Sequence, residues 1–124
     1  MKMLIVDDSK AMRTYLQSLA AELSFQTEEA EDGRDGLGKL LKSDPRDPFD
    51  VVLVDWEMPV MNGLELVATV RRNRDFNSLK LMMVTTLNTV ERVAEALEAG
   101  ADDFLMKPVT RELLEEKLQI LGVV

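Results

Sequence analysis

Acids, hydroxyls and one lysine fall at corresponding places along this sequence, each directly after a short apolar run. Asp7 and Asp8 follow residues 3–6, Asp55 follows 51–54, Thr85 and Thr86 follow 81–84, and Lys107 follows 104–106. Were the runs parallel strands of one open sheet, these residues would share its carboxyl edge, where ligands bind at the switch point between the first and third strands. Two like charges ~4 Å apart repel by about 4 kcal/mol at an effective dielectric of roughly 20, so three gathered aspartates need a counter-charge or must retain a proton. Lys107 offsets part of that repulsion. A hard divalent cation, Mg²⁺ above all, suits carboxylate and carbonyl oxygens and commonly shares its site with phosphate, so the combination points to phosphoryl chemistry.

Taken singly, each residue has a plainer reading. Asp7, Asp8 and Ser9 suit a helix N-terminus, where acids and hydroxyls satisfy free N–H groups and complement the dipole. Asp55 suits a turn after a strand, Thr85 a strand-end hydroxyl bonded to backbone, and Lys107 a solvated surface charge. Convergence of all of them on one edge is what sets the group apart.

The elements that would position them alternate regularly. The runs at 3–6, 51–54 and 81–84, and the shorter 104–106, are continuous rather than alternating, which predicts strands covered on both faces. Residues 25–30 are more polar and read as a weaker strand at an edge. Met12, Tyr15, Leu16, Leu19 and Leu23 keep the spacing of one helix face, as do Val90, Val93, Ala94 and Leu97, and then Leu114, Leu118 and Leu121. Asn62 and Asn88 precede helical patterns and have Glu65 and Glu91 in the third place after them, which predicts capping boxes. Ser9 and Thr110 are further N-caps. The helix between the second and third strands contains Gly36 and Gly38, each costing about 1 kcal/mol relative to Ala, so mobility is expected there. Residues 43–49, with Pro45 and Pro48 among polar neighbours, read as a loop entering the central strand.

Strand and helix thus alternate through an α/β domain. The expected fold is a flavodoxin-like, doubly wound, five-stranded parallel sheet of order 2-1-3-4-5 with right-handed crossovers and five helices. No composition shift, repeat or low-complexity tract divides residues 1–124, which read as a single domain that one core can hold.

Composition narrows the function classes. Apolar residues form 46% and charged residues 31% of the chain, a globular balance rather than a disordered one. The apolar runs fall far below the ~20 residues that span a bilayer, so neither membrane insertion nor an export signal is expected. A net charge of −8 would repel a phosphate backbone, which argues against nucleic acid as a partner. Cysteine is absent, which removes disulfides and thiolate metal sites and is compatible with a cytoplasmic location.

The blocks Val6-Asp7-Asp8-Ser9 and Val54-Asp55-Trp56-Glu57-Met58-Pro59-Val60-Met61-Asn62-Gly63, then Thr85, then Lys107-Pro108, closely resemble the receiver domains of two-component response regulators. The resemblance spans essentially the whole chain, and its short length is most similar to the single-domain chemotaxis-type regulators, themselves an example of the 2-1-3-4-5 order. It implies that Asp55 is the phosphoacceptor, taking a phosphoryl group from a phosphohistidine on a histidine kinase. It implies that Mg²⁺ is held directly by Asp8, Asp55 and the backbone carbonyl of Glu57, and by Asp7 through a water. Lys107 and Thr85 would contact phosphoryl oxygens, Thr85 and Phe104 would form the switch, and Lys107-Pro108 would be a cis bond. A downstream protein would bind the face of the fourth helix, fifth strand and fifth helix. The expected role is a signalling switch whose own catalysis stops at self-phosphorylation and slow autodephosphorylation.

Two residues depart from the family's common pattern. Phe104 lacks the phenolic hydroxyl often found at its position, so a ring switch there depends on packing alone. Glu57 is acidic where many relatives carry a neutral amide, and it is expected to tune hydrolysis of the phosphorylated form, with Lys107 or a metal-bound water as its candidate partners. Three other readings stand beside this one: a Mg²⁺-dependent phosphohydrolase with an aspartyl nucleophile, a flavin-binding domain of similar architecture, and a receiver that signals by binding alone. Turnover of small phosphate esters would mark the first and a coloured protein the second, while the full set Asp7, Asp8, Asp55, Thr85 and Lys107 opposes the third.

Overall fold

The apolar runs become strands whose side chains alternate between two helical layers, which is why the runs are continuous. The computed structural model describes residues 1–86 and 89–124. The strands are β1 (Lys2–Val6), β2 (Gln26–Ala30), β3 (Val51–Asp55), β4 (Lys80–Thr85) and β5 (Asp103–Met106), and the helices are α1 (Lys10–Glu22), α2 (Gly33–Leu41), α3 (Gly63–Arg71), α4 (Val90–Ala99) and α5 (Arg111–Ile120). A single turn of 3₁₀ helix, Arg74–Phe76, precedes β4. All strand pairs are parallel, in the order β2-β1-β3-β4-β5, as the alternation predicts. The polar β2 takes an edge and the fully buried β3 the centre.

Leu4, Val6, Val52, Val54, Leu81 and Met83 face one core layer, which includes Leu40 of α2, Leu66, Val67 and Val70 of α3, and Ala96 of α4. Met3, Ile5, Val51, Leu53, Met82 and Val84 face the other, against Leu16, Leu19 and Ala20 of α1 and Leu114 and Leu118 of α5. Each large aliphatic side chain removed fully from water contributes about 1.5–3 kcal/mol, so both layers are needed to offset chain ordering. Gly36 in α2 has a packing reason that propensity does not show. A Cβ there would lie 3.0 Å from a methyl group of Val6, so the missing side chain lets α2 approach the end of β1.

The caps form largely where the residue types place them. Ser9 and Thr110 accept from the N–H groups of Met12 and Leu113, and Asn62 with Glu65 forms a complete capping box. The cap of α4 is Thr89, which accepts from the N–H of Arg92; Asn88 lies outside the described residues. The apolar face of α4 turns away from the core. Val90, Ala94 and Leu97 are exposed and Val93 half-buried, while Ala96 is the buried residue. Small residues let the helix sit close to the sheet, and the larger aliphatic side chains are left facing water.

Candidate functional site

Strand registry brings the acids together. Val6 pairs with Val54 and Asp55 with Val84, so the residues after β1, at the end of β3 and at the end of β4 lie along one edge. Carboxylate oxygens of Asp7, Asp8 and Asp55 all fall within 4.8 Å of one another. Asp7 and Asp55 are buried and Asp8 is exposed. Lys107, carried in after β5, places its Nζ 3.2 Å from Asp55 Oδ1 and 3.8 Å from Asp7 Oδ2. Its own N–H donates to the Thr85 carbonyl at 2.9 Å, and the Lys107–Pro108 bond is cis. Thr85 is buried at the end of β4.

Gly63 shapes the loop that follows the acceptor. Its N–H donates to the carbonyl of Trp56 at 2.9 Å, and a Cβ on it would lie 2.3 Å from the carbonyl oxygen of Asp55. Only glycine allows α3 to begin so close to the strand end. Within the same loop Val60 adopts a left-handed conformation, φ 68°, which a β-branched residue takes only under constraint.

The electrostatics follow from burial. Removal from water pushes the Asp55 carboxyl up to about 6; the charge of Asp7 adds to the rise and Lys107 opposes it. Asp7 is also raised, first by burial, with the N–H of Ser9 and the charge of Lys107 working the other way. That N–H donates to Asp7 Oδ1 at 2.8 Å, whereas Asp7 Oδ2 is buried without a hydrogen bond among the described residues. Three acids facing one lysine, with an orphaned buried carboxylate oxygen among them, fit a hard divalent cation. The donor set is all oxygen, and the exposure of Asp8 leaves an open side for water or a phosphate.

Glu57 departs from expectation. Its carboxylate is not among the gathered acids; it accepts instead from Nη2 of Arg92 on α4 at 3.3 Å, while Lys107 is engaged with Asp55 and Asp7. The Arg92 guanidinium also lies over the Trp56 ring, 4.5 Å from its centroid. Sequence spacing gave no signal for this contact, since it joins two elements far apart in the chain. Phe104 is half-buried and packs on the β3–α3 side of the core, with Lys117 Nζ 4.9 Å from its ring centroid. Lys117 is held there by Asp103 at 3.1 Å.

Comparison with known proteins agrees with this geometry. The family model described as the response regulator receiver domain matches residues 3–119. The chain is 40% identical to chemotaxis protein CheY-3 of Vibrio cholerae over 119 residues, covering 95% of this chain and 88% of that protein. It is 38% identical to chemotaxis protein CheY1 of Helicobacter pylori over 122 residues, covering 98% and 96%. The solved structure of chemotaxis response regulator CheY4 of Vibrio cholerae superposes with a TM-score of 0.88 at 35% identity, with 97% of each chain covered.

Proposed function

The chain belongs to the response regulator receiver domain family, and from that premise we propose that residues 1–124 act as one receiver domain in which Asp55 accepts a phosphoryl group from a phosphohistidine of a histidine kinase. The observation that carries this reading is the meeting of Asp7, Asp8, Asp55 and Lys107 at the edge of the sheet. An Oδ atom of Asp55 attacks phosphorus, the P–N bond to the histidine breaks as the P–O bond forms, and the electron pair leaves with the imidazole. With its carboxyl at about 6, Asp55 is mostly ionised at neutral pH and able to attack. Asp8, Asp55 and the Glu57 backbone carbonyl would hold Mg²⁺ directly and Asp7 would hold it through a water. The ion, when bound, neutralises charge on the transferring phosphoryl group. Lys107 stabilises one phosphoryl oxygen and the Thr85 hydroxyl another, so positioning and charge supply the catalysis.

The aspartyl phosphate carries about −1.5 to −2 charges where the ionised carboxylate carried one, so phosphorylation adds up to about one negative charge, on a bulkier group, beside Thr85. The new bond to the Thr85 hydroxyl draws the end of β4 toward the acceptor and shifts the packing of Phe104. The readout is the face formed by α4, β5 and α5, where Val90, Ala94 and Leu97 offer apolar surface to a downstream protein. Among the described residues no helix is long and apolar enough to cross a membrane, and the proposed location is the cytoplasm. The test is amide exchange before and after treatment with acetyl phosphate and Mg²⁺. Changes should extend from the site into α4 and β5 in the parent and stay local in Thr85→Ala. An equal spread in both proteins would refute the switch role of Thr85, and no change in α4 of the phosphorylated parent would refute the readout.

A further inference from the structure

Arg92 is the one described basic side chain that joins α4 to the loop after the acceptor through two neighbouring residues. It sits in the first turn of α4, its N–H held by the Thr89 cap. Its guanidinium covers the ring of Trp56, and its Nη2 bonds Glu57 Oε1. An ion pair with so exposed a glutamate would contribute little on its own. The buried indole changes that, because it fixes the plane of the guanidinium and leaves the Nη2 fork aimed at Glu57. A glutamate in the second position after the acceptor would otherwise be free to turn toward the gathered aspartates, and its carboxylate is not among them.

We propose that Arg92 is a positioning residue that clasps Glu57 against α4, keeping its carboxylate out of the Asp7, Asp8 and Asp55 cluster and thereby setting the affinity of that cluster for a divalent cation. The inference deepens the function proposed above and rests on its reading of the aspartates as a cation site. Released from the clasp, Glu57 becomes an uncompensated anion beside the site and a fourth acid within reach of it. Arg92 would therefore act on the cation through Glu57, and only weakly by its own charge.

Two measurements test this. In the metal-free parent, NMR should find the Arg92 side-chain protons displaced upfield by the indole ring current; values typical of a solvated arginine would overturn the clasp. Calorimetric titration with Mg²⁺ should then show Arg92→Ala binding about three- to tenfold more tightly than the parent, an estimate for an added close charge at a high effective dielectric. The same substitution made in Glu57→Gln should change affinity less than about twofold. Arg92→Lys, which keeps charge but not the planar fork, should fall between parent and Arg92→Ala. Equal tightening in both backgrounds, or none in either, would overturn the proposal. A parent that binds no Mg²⁺ would overturn the functional reading and the cation half of this proposal, while the ring-current shift still judges the clasp by itself.

Discussion

Replacing Asp55 by Asn should stabilise the metal-free fold at neutral and alkaline pH. The Asp55 carboxyl rises from an ordinary 3.8 to about 6 in the native state, chiefly through burial and then through repulsion from Asp7. The side chain is only 9% exposed, so solvent screening removes little of the effect. At 1.36 kcal/mol per tenfold, that rise means the native state disfavours ionised Asp55 by about 3 kcal/mol. The group holds its proton more tightly when folded, so its stabilising contribution is complete below pH ~4 and is lost as pH rises through about 6. Asn cannot ionise and escapes the loss, and Lys107 keeps Asp7 as a partner at 3.8 Å. Urea denaturation in EDTA should therefore find Asp55→Asn more stable than the parent by about 1–3 kcal/mol at pH 8, with the difference shrinking toward pH 4. Saturating Mg²⁺ should narrow the gap at pH 8 by stabilising the parent preferentially. A variant no more stable than the parent at pH 8, or a difference that grows on acidification, would refute the electrostatic account of the cluster.

Three further outcomes follow from the same geometry. Trp56 is the only tryptophan in the chain and adjoins Asp55, so its emission should change on Mg²⁺ titration, and Asp8→Ala should weaken the apparent affinity at least tenfold; an unchanged titration would put the ion elsewhere. Glu57→Asn should shorten the life of isolated phosphorylated protein at saturating Mg²⁺ and weaken Mg²⁺ binding modestly, because the anion opposes approach of the hydrolytic water; slower loss of phosphate in the variant would reverse the assignment and make Glu57 a base that orients that water. Val60→Gly should raise stability by about 0.5–1 kcal/mol in thermal or urea unfolding, since relief of left-handed strain outweighs the added chain entropy of glycine, and Val60 is 73% exposed with little packing to lose.

The strands were legible because a sheet covered on both faces leaves no polar position in its central members, and that is visible as unbroken apolar runs. The polar β2 betrayed its edge position for the same reason. The gathering of Asp7, Asp8, Asp55 and Lys107 was legible too, since parallel strands put their ends on one edge and no further information is needed. Apolar spacing on α4 did not locate its core side, because periodicity reports that a helix has an apolar face but not which way it turns. The core side of α4 is carried by Ala96, and an Ala-rich face scarcely registers in a hydropathy pattern. Packing by absence escaped in the same way: Gly36 reads as a helix weakness until Val6 is seen where its side chain would be. The contact of Arg92 with Trp56 and Glu57 depends on how α4 is set against the β3–α3 loop, and no local rule encodes that angle.

Chemical trapping of the phosphorylated residue tests the central claim most directly. After treatment with acetyl phosphate, borohydride reduces an aspartyl phosphate to homoserine, which peptide mass spectrometry locates. Homoserine should appear at position 55, only when Mg²⁺ was present, and should be missing after incubation in EDTA. Homoserine at Asp7 or Asp8, or equal labelling with and without the metal, would contradict the account.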